Sequence, residues 1–153
     1  MTVIDDAYRK FARKRFPLPS EVQLADLERR IEIVFPDDYR QFILEFNGGY
    51  FREPDITPVG DCPPDALKYL SGIGASHENA ELGESSTLDL FDGNVPPKIV
   101  PIGGTPMGGL IILDTAPGEG RGEIYYKQAF GESYWIAGGI EEFFGLLREQ
   151  TVE

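Results

Sequence analysis

The sequence has few of the residues on which common active and metal sites depend. It contains one cysteine, Cys62, and one histidine, His77, among 153 residues. A single cysteine cannot form an internal disulfide, and one histidine with one cysteine cannot supply the usual ligands of a zinc site. These shortages predict a chain that folds in a reducing compartment without a disulfide or a structural metal.

Targeting signals and long apolar runs are missing as well. The chain starts Met-Thr-Val-Ile-Asp-Asp, without the basic and then apolar leader of a secreted protein. Apolar runs such as residues 110–113 are far shorter than the roughly eighteen residues of a membrane span. We therefore expect a cytoplasmic protein that does not cross a membrane. Its length predicts a single domain over residues 1–153.

Basic residues are scarce relative to acidic ones. The chain carries 14 Lys and Arg against 26 Asp and Glu, a net charge of −12. Residues 53–97 hold nine of the acidic side chains and one basic one. Such a field repels nucleic acid and anionic lipid and attracts cationic proteins. The acidity therefore favours a basic protein partner over nucleic acid or a membrane, unless it serves only to keep the protein soluble.

The best-defined local pattern is a short helix over residues 36–46. Pro36 suits a helix start, and two aspartates follow it where the helix dipole favours negative charge. Apolar residues at i, i+3, i+4 and i+7 predict one buried face. Asn47, Gly48 and Gly49 tolerate positive φ, which predicts the end of the helix there. The apolar stripe consists of Tyr39, Phe42, Ile43 and Phe46.

Two further helices are predicted ahead of this one. Residues 5–16 form a basic amphipathic pattern whose narrow apolar face favours docking on the domain over binding to lipid or RNA. Ser20 and Gln23 have the spacing of a capping box, which predicts the start of a second helix. We interpret residues 1–19 as a helical extension and residues 20–148 as the core.

The second part of the chain has the Gly and Pro content of short strands and turns. Residues 98–102, 110–114 and 123–127 are apolar and separated by glycine-rich loops, which predicts antiparallel hairpins. Residues 134–137 predict a last strand, and residues 138–150 a helix with one apolar face. The fold class is therefore predicted to be α+β, with N-terminal helices followed by a mostly antiparallel sheet and a C-terminal helix packed on it.

Local sequence supports no catalytic or ligand site. A hydrolytic triad would need His77, but no Gly-x-Ser-x-Gly turn is present, and acidic neighbours of Cys62 oppose thiolate formation. The glycines of residues 103–109 precede a strand and include no lysine, unlike a phosphate loop. Three acidic residues around one hairpin loop match no calcium-binding spacing. They are Asp114, Glu119 and Glu123. We predict no catalytic residue, no metal and no cofactor.

Four stretches of the chain, in order, resemble the SUKH superfamily. Residues 35–49 resemble its helix motif, in which Pro and Tyr precede an Asn-Gly-Gly. Residues 99–114 resemble its hairpin, residues 122–126 its next strand and residues 135–147 its closing helix. The chain departs from the superfamily at two pairs of positions. Lys127 and Gln128 replace a common Asp-His pair, and Gly138 and Gly139 replace a serine that caps the last helix.

The resemblance implies a domain that binds a protein partner. The superfamily contains bacterial immunity proteins of polymorphic-toxin systems and a fungal regulator of cell-wall synthesis. It thus implies an antidote to a cognate toxin, such as a basic nuclease, or a regulatory scaffold. It assigns structural roles to Pro36, Tyr39, Phe42, Asn47, Gly48 and Gly49. For partner binding we predict five carboxylates of the acidic segment, Glu78, Glu81, Glu84, Asp89 and Asp92.

Overall fold

The structure, a computed structural model, describes residues 2–56, 64–75, 80–83, 98–128 and 132–149. Three helices lie in the first third of the chain with one short strand between the first two, most strands follow, and a last helix lies near the C-terminus. The described strands form one sheet of seven strands and one of three, and all neighbours within each sheet are antiparallel. The predicted α+β class is confirmed.

Two of the described helices begin with a capping box. Ser20 and Gln23 exchange hydrogen bonds of 2.8 and 3.1 Å, as predicted, and Thr2 and Asp5 form the same arrangement at the first helix. The third helix begins directly after Pro36. None of the helices in the described ranges has the length and apolar character needed to cross a membrane. The described helices are α1 (Val3–Phe11), α2 (Glu21–Ile31), α3 (Asp37–Glu45) and α4 (Ile140–Gly145).

Ten short strands are described, and the four best-predicted ones are all present with ends shifted by at most two residues. In chain order they are β1 (Ala12–Lys14), β2 (Gly49–Phe51), β3 (Asp55–Ile56), β4 (Asp65–Ala66), β5 (Tyr69–Leu70), β6 (Ile99–Gly104), β7 (Leu110–Asp114), β8 (Ile124–Lys127), β9 (Ser133–Ala137) and β10 (Leu147–Arg148). The main sheet has the order β1-β2-β5-β6-β7-β8-β9, and the small sheet the order β10-β3-β4.

Two predicted helices were too long. The first was predicted to reach Phe16 but ends at Phe11, because the next residues form β1 and pair with β2. The last was predicted to reach residue 150 but ends at Gly145, because Leu147 pairs with Ile56 of β3. In both places a strand partner distant in sequence stabilises an extended conformation that helix periodicity does not indicate.

The main core lies between the helices and one face of the main sheet. Tyr39, Phe42, Ile43 and Phe46 are all buried, which confirms the predicted stripe. Phe144 of α4 lies 5.5 Å from Phe42, measured between ring centroids, so the last helix closes the same core. From the sheet, alternate residues of β6, β7, β8 and β9 face this core. They are Val100, Ile102, Ile111, Leu113, Ile124, Tyr126 and Ile136.

Two tyrosines in this core differ in one hydrogen bond. The Tyr8 hydroxyl donates to the Gly48 carbonyl at 2.9 Å, whereas the buried Tyr39 hydroxyl has no partner among the described residues. An unpaired buried hydroxyl costs about 1–3 kcal/mol. We expect Tyr39→Phe to raise the free energy of unfolding by about 1 kcal/mol and Tyr8→Phe to lower it by a similar amount. Urea unfolding of both variants measures the difference.

The same tyrosines predict a loss of stability in alkali. Burial raises the pKa of Tyr8 and of Tyr39 above its usual value near 10. Above about pH 10 the unfolded chain therefore releases these protons first, and stability falls by up to about 1.4 kcal/mol per pH unit for each tyrosine. The stability of Tyr39→Phe should fall less steeply above about pH 10 than that of the unaltered chain, because the variant lacks one of the two buried tyrosines. A Tyr39→Phe variant less stable than the unaltered chain at pH 7 would contradict the assignment of an unpaired hydroxyl.

Candidate functional site

Of the five carboxylates predicted to bind a partner, the structure describes one. Glu78, Glu84, Asp89 and Asp92 lie outside the described residues. The Glu81 carboxylate accepts a hydrogen bond of 2.8 Å from the Gly74 backbone N–H. Glu81 is thus bonded to the backbone of its own chain, and its role in partner binding stays a prediction.

The motif residues of α3 are part of the fold itself. Asn47 is fully buried, and its side-chain amide donates to the carbonyls of Pro17 and Ile73 at 2.7 and 2.8 Å. Its carbonyl oxygen accepts from the Ile73 N–H at 2.8 Å. A β-carbon at Gly48 would lie closer than 3.0 Å to the carbonyl oxygens of Leu70 and Ser71, so only glycine fits there. The motif therefore joins three segments of chain and presents no reactive group.

Of the residues behind the catalytic and metal alternatives, the structure describes only the three carboxylates of one hairpin loop. His77 and Cys62 both lie outside the described residues. Asp114, Glu119 and Glu123 do not hold a metal geometry, since no group of three suitable side chains forms in the part of the chain that the structure describes. What Asp114 and Glu123 offer instead is negative charge on a surface.

One end of the main sheet carries a group of seven described carboxylates. The β8 and β9 strands meet here, because Ile124 pairs with Ala137. The start of α3 joins them: Gly122 lies against Pro36, and the Asp38 carboxylate lies against Gly139 at the start of α4. We call this surface the acidic end. Its carboxylates are Asp37, Asp38, Asp114, Glu119, Glu123, Glu141 and Glu142.

The two cations at the acidic end are turned toward the backbone. Arg121 donates to the carbonyls of Thr115 and Val34 at 2.6 and 2.8 Å. Lys98 donates to the Glu32 carbonyl at 2.6 Å. No ion pair to a carboxylate of the acidic end forms among the residues that the structure describes. The acidic end therefore keeps a negative field that a cationic partner can enter.

The side of β6–β9 that faces away from the helices, here called the outer face, is unusually apolar. Cross-strand register places Pro101, Ile112, Tyr125 and Trp135 in one row across the four strands. Ile112 and the neighbouring Leu110 are buried in a small cluster separate from the main core, with Tyr125 packed against them. Antiparallel sheets with one free face usually carry polar side chains on that face. The outer face instead has the composition of a contact surface.

The outer face borders the acidic end through Tyr125. Its hydroxyl donates to the Glu123 carboxylate at 3.2 Å, and partial burial together with Glu123 raises the pKa of Tyr125. The Asp114 and Glu123 carboxylates both lie within 3.5 Å of the point where a β-carbon at Gly120 would stand. Aromatic rings and unpaired carboxylates thus meet along one border, an arrangement suited to binding cationic protein.

Sequence reasoning found the carboxylates of this border but not their aromatic neighbours. Asp114 and Glu123 were noted only as possible calcium ligands. Trp135 was assigned to a strand, but its side chain could be placed on a face only once its pairing with Tyr125 was known. Residues 134–137 are all apolar, so no alternation in the sequence indicated which of them faces outward.

The sequence was also compared with known proteins. A model of the SMI1 / KNR4 family (SUKH-1) matches residues 18–145. The match includes α2, α3, β2 to β9 and α4, and so covers both the acidic end and the outer face. A comparison with curated proteins finds no match.

Proposed function

The chain belongs to the SMI1 / KNR4 family (SUKH-1), and from this premise we propose that it is a non-enzymatic immunity protein that binds and neutralises a cognate toxin. The family includes immunity proteins. The observation that supports a basic partner in particular is the acidic end, whose cations are engaged with backbone carbonyls. A toxin that acts on nucleic acid carries a basic substrate cleft, because it must bind phosphates. An acidic protein that covers this cleft would block it.

The candidate partner is to be sought in the neighbouring reading frame, where a secreted protein with a variable C-terminal domain would supply the toxin domain to test. We expect co-expression of the chain to restore growth of bacteria that produce this toxin domain. With purified proteins, the association rate should fall at least about tenfold as salt rises from about 0.02 to 0.3 M, because screening removes electrostatic steering. Stopped-flow mixing measures this rate.

Two results would count against parts of this proposal. An association rate independent of salt would contradict the electrostatic attraction but not the antidote role. A neighbouring protein that neither binds the chain nor harms cells would contradict the antidote role. The regulatory scaffold that the superfamily also implies would then be the better explanation.

A further inference from the structure

Two aromatic rings on the outer face are open to a partner. Trp135 is 40% exposed, although β-strand pairing holds its backbone opposite Tyr125. Neither ring pairs with another ring within the described residues. Exposed tryptophan and tyrosine held on a rigid sheet lose little entropy when a partner covers them. These two residues are therefore suited to anchor a contact.

The charge beside the two rings is negative. Asp114 and Glu123 adjoin Tyr125 and form no ion pair with any described cation. Lys127 follows Tyr125 by two residues in β8, and its ammonium group donates to the Gln128 carbonyl at 2.9 Å. Lys14 lies on β1, the edge strand at the opposite side of the sheet from β9. The border between rings and carboxylates is thus complementary to positive charge.

Arginine is the residue that uses both features at once. Its planar guanidinium stacks on aromatic faces and forms paired hydrogen bonds with carboxylates, whereas the lysine ammonium group is a compact, strongly hydrated point charge. The chain contains an internal example of such stacking. The Arg15 guanidinium lies 4.9 Å from the ring centre of Tyr8 and 5.4 Å from that of Phe46.

We propose that the outer face of the sheet is the docking surface for an arginine-bearing surface of a protein partner. Tyr125 and Trp135 receive the guanidinium, and Asp114 and Glu123 pair with it. Leu110 and Ile112 are buried and pack against Tyr125, which supports its ring from below. This inference rests on the proposed function, since it names where and by which chemistry the toxin binds.

Trp135 is the only tryptophan of the chain, so its fluorescence reports on this surface directly. The probe is an arginine nonapeptide, compared with a lysine nonapeptide of equal charge. We expect a saturable change in tryptophan fluorescence below about 1 mM arginine peptide, with lysine peptide binding at least about threefold more weakly. No change with the arginine peptide, or equal binding of the two peptides, would overturn the proposal.

Isosteric variants separate local recognition from net charge. Asp114→Asn with Glu123→Gln keeps the acceptors for the Ala116 N–H and the Tyr125 hydroxyl while removing two charges. We expect it to weaken arginine-peptide binding about fivefold. Asp26→Asn with Glu45→Gln removes two exposed charges from the helical side, and its effect should stay below about twofold. Equal effects of the two double variants would overturn the proposal.

The toxin domain provides the second arm of the experiment. Trp135→Ala should raise the rate at which the toxin domain dissociates from the chain at least about tenfold. Circular dichroism should confirm that the variant is folded. If the toxin domain binds this variant and the Asp114/Glu123 variant like the unaltered chain, the docking surface is wrong and the proposed function stands. If no toxin domain binds but the peptide results hold, the docking surface stands and the proposed function is wrong.

Discussion

Replacing Asn47 with alanine is expected to lower the free energy of unfolding by about 4 kcal/mol, enough to unfold a large fraction of a marginally stable domain. The substitution removes three hydrogen bonds of 2.7–2.8 Å from a fully buried side chain. It leaves the carbonyls of Pro17 and Ile73 and the Ile73 N–H without these partners. Each unsatisfied buried group costs about 1–3 kcal/mol.

A second variant separates the side chain of Asn47 from its backbone conformation. Asn47 has a φ of 55°, in the left-handed region that alanine adopts only at a cost of about 1–2 kcal/mol. Asn47→Gly loses the same hydrogen bonds without that cost, so it should be more stable than Asn47→Ala by about 1 kcal/mol. Urea unfolding at neutral pH measures both values. Loss of less than about 1 kcal/mol in Asn47→Gly would show that the three hydrogen bonds do not hold the segments together.

The end of α3 shows how far local sequence can predict. The Asn-Gly-Gly string predicted a helix end with positive φ, and Asn47, Gly48 and Gly49 adopt φ values of 55°, 73° and 134°. The hydrogen-bond partners of Asn47 were not predictable, because Pro17 and Ile73 lie 30 and 26 residues away in the sequence. Local propensity determines backbone conformation, whereas long-range contacts depend on the assembled fold.

Strand β1 is a case in which sequence periodicity predicted the wrong structure. Residues 12–14 are Ala, Arg and Lys, which all favour helices. They form a strand because the main sheet offers the backbone of β2 as a partner. Helix propensity differs by less than about 0.7 kcal/mol between ordinary residues, so such a partner readily overrides it.

The candidate site was predictable in its charge but not in its geometry. Composition alone indicated an acidic body and a cationic partner. The sequence placed Asp114, Glu123 and Tyr125 around one hairpin, but Trp135 joins them only through the pairing of β8 with β9. A bulge in that pairing shifts the register between Ile124 and Tyr125, and a shift of one residue moves a side chain to the other face. The composition of the outer face therefore required coordinates.

The second large effect is expected at the ion pair that joins α2 to α3. The Glu28 carboxylate accepts from Arg40 Nε and Nη2 at 3.0 and 2.8 Å, and from the Phe35 N–H at 2.8 Å. The side chain of Glu28 is only 10% exposed, that of Arg40 25%. The hydrogen bonds to Glu28 raise the pKa of Arg40, so its charge is permanent. Arg40→Met would leave an unpaired carboxylate with little access to water, and we expect a loss of about 3 kcal/mol.

A double-mutant cycle and a surface control test this assignment. Glu28→Gln keeps an acceptor for the Phe35 N–H, and in its presence Arg40→Met should cost at least about 1.5 kcal/mol less than in the unaltered chain, because no unpaired charge remains. Arg29 forms an ion pair with Asp26, in which the side chains are 73% and 62% exposed. Arg29→Met should therefore change stability by less than about 0.5 kcal/mol. Equal costs for Arg40→Met and Arg29→Met would mean that burial does not strengthen the Glu28–Arg40 pair, and that α2 and α3 are held together by their apolar contacts alone.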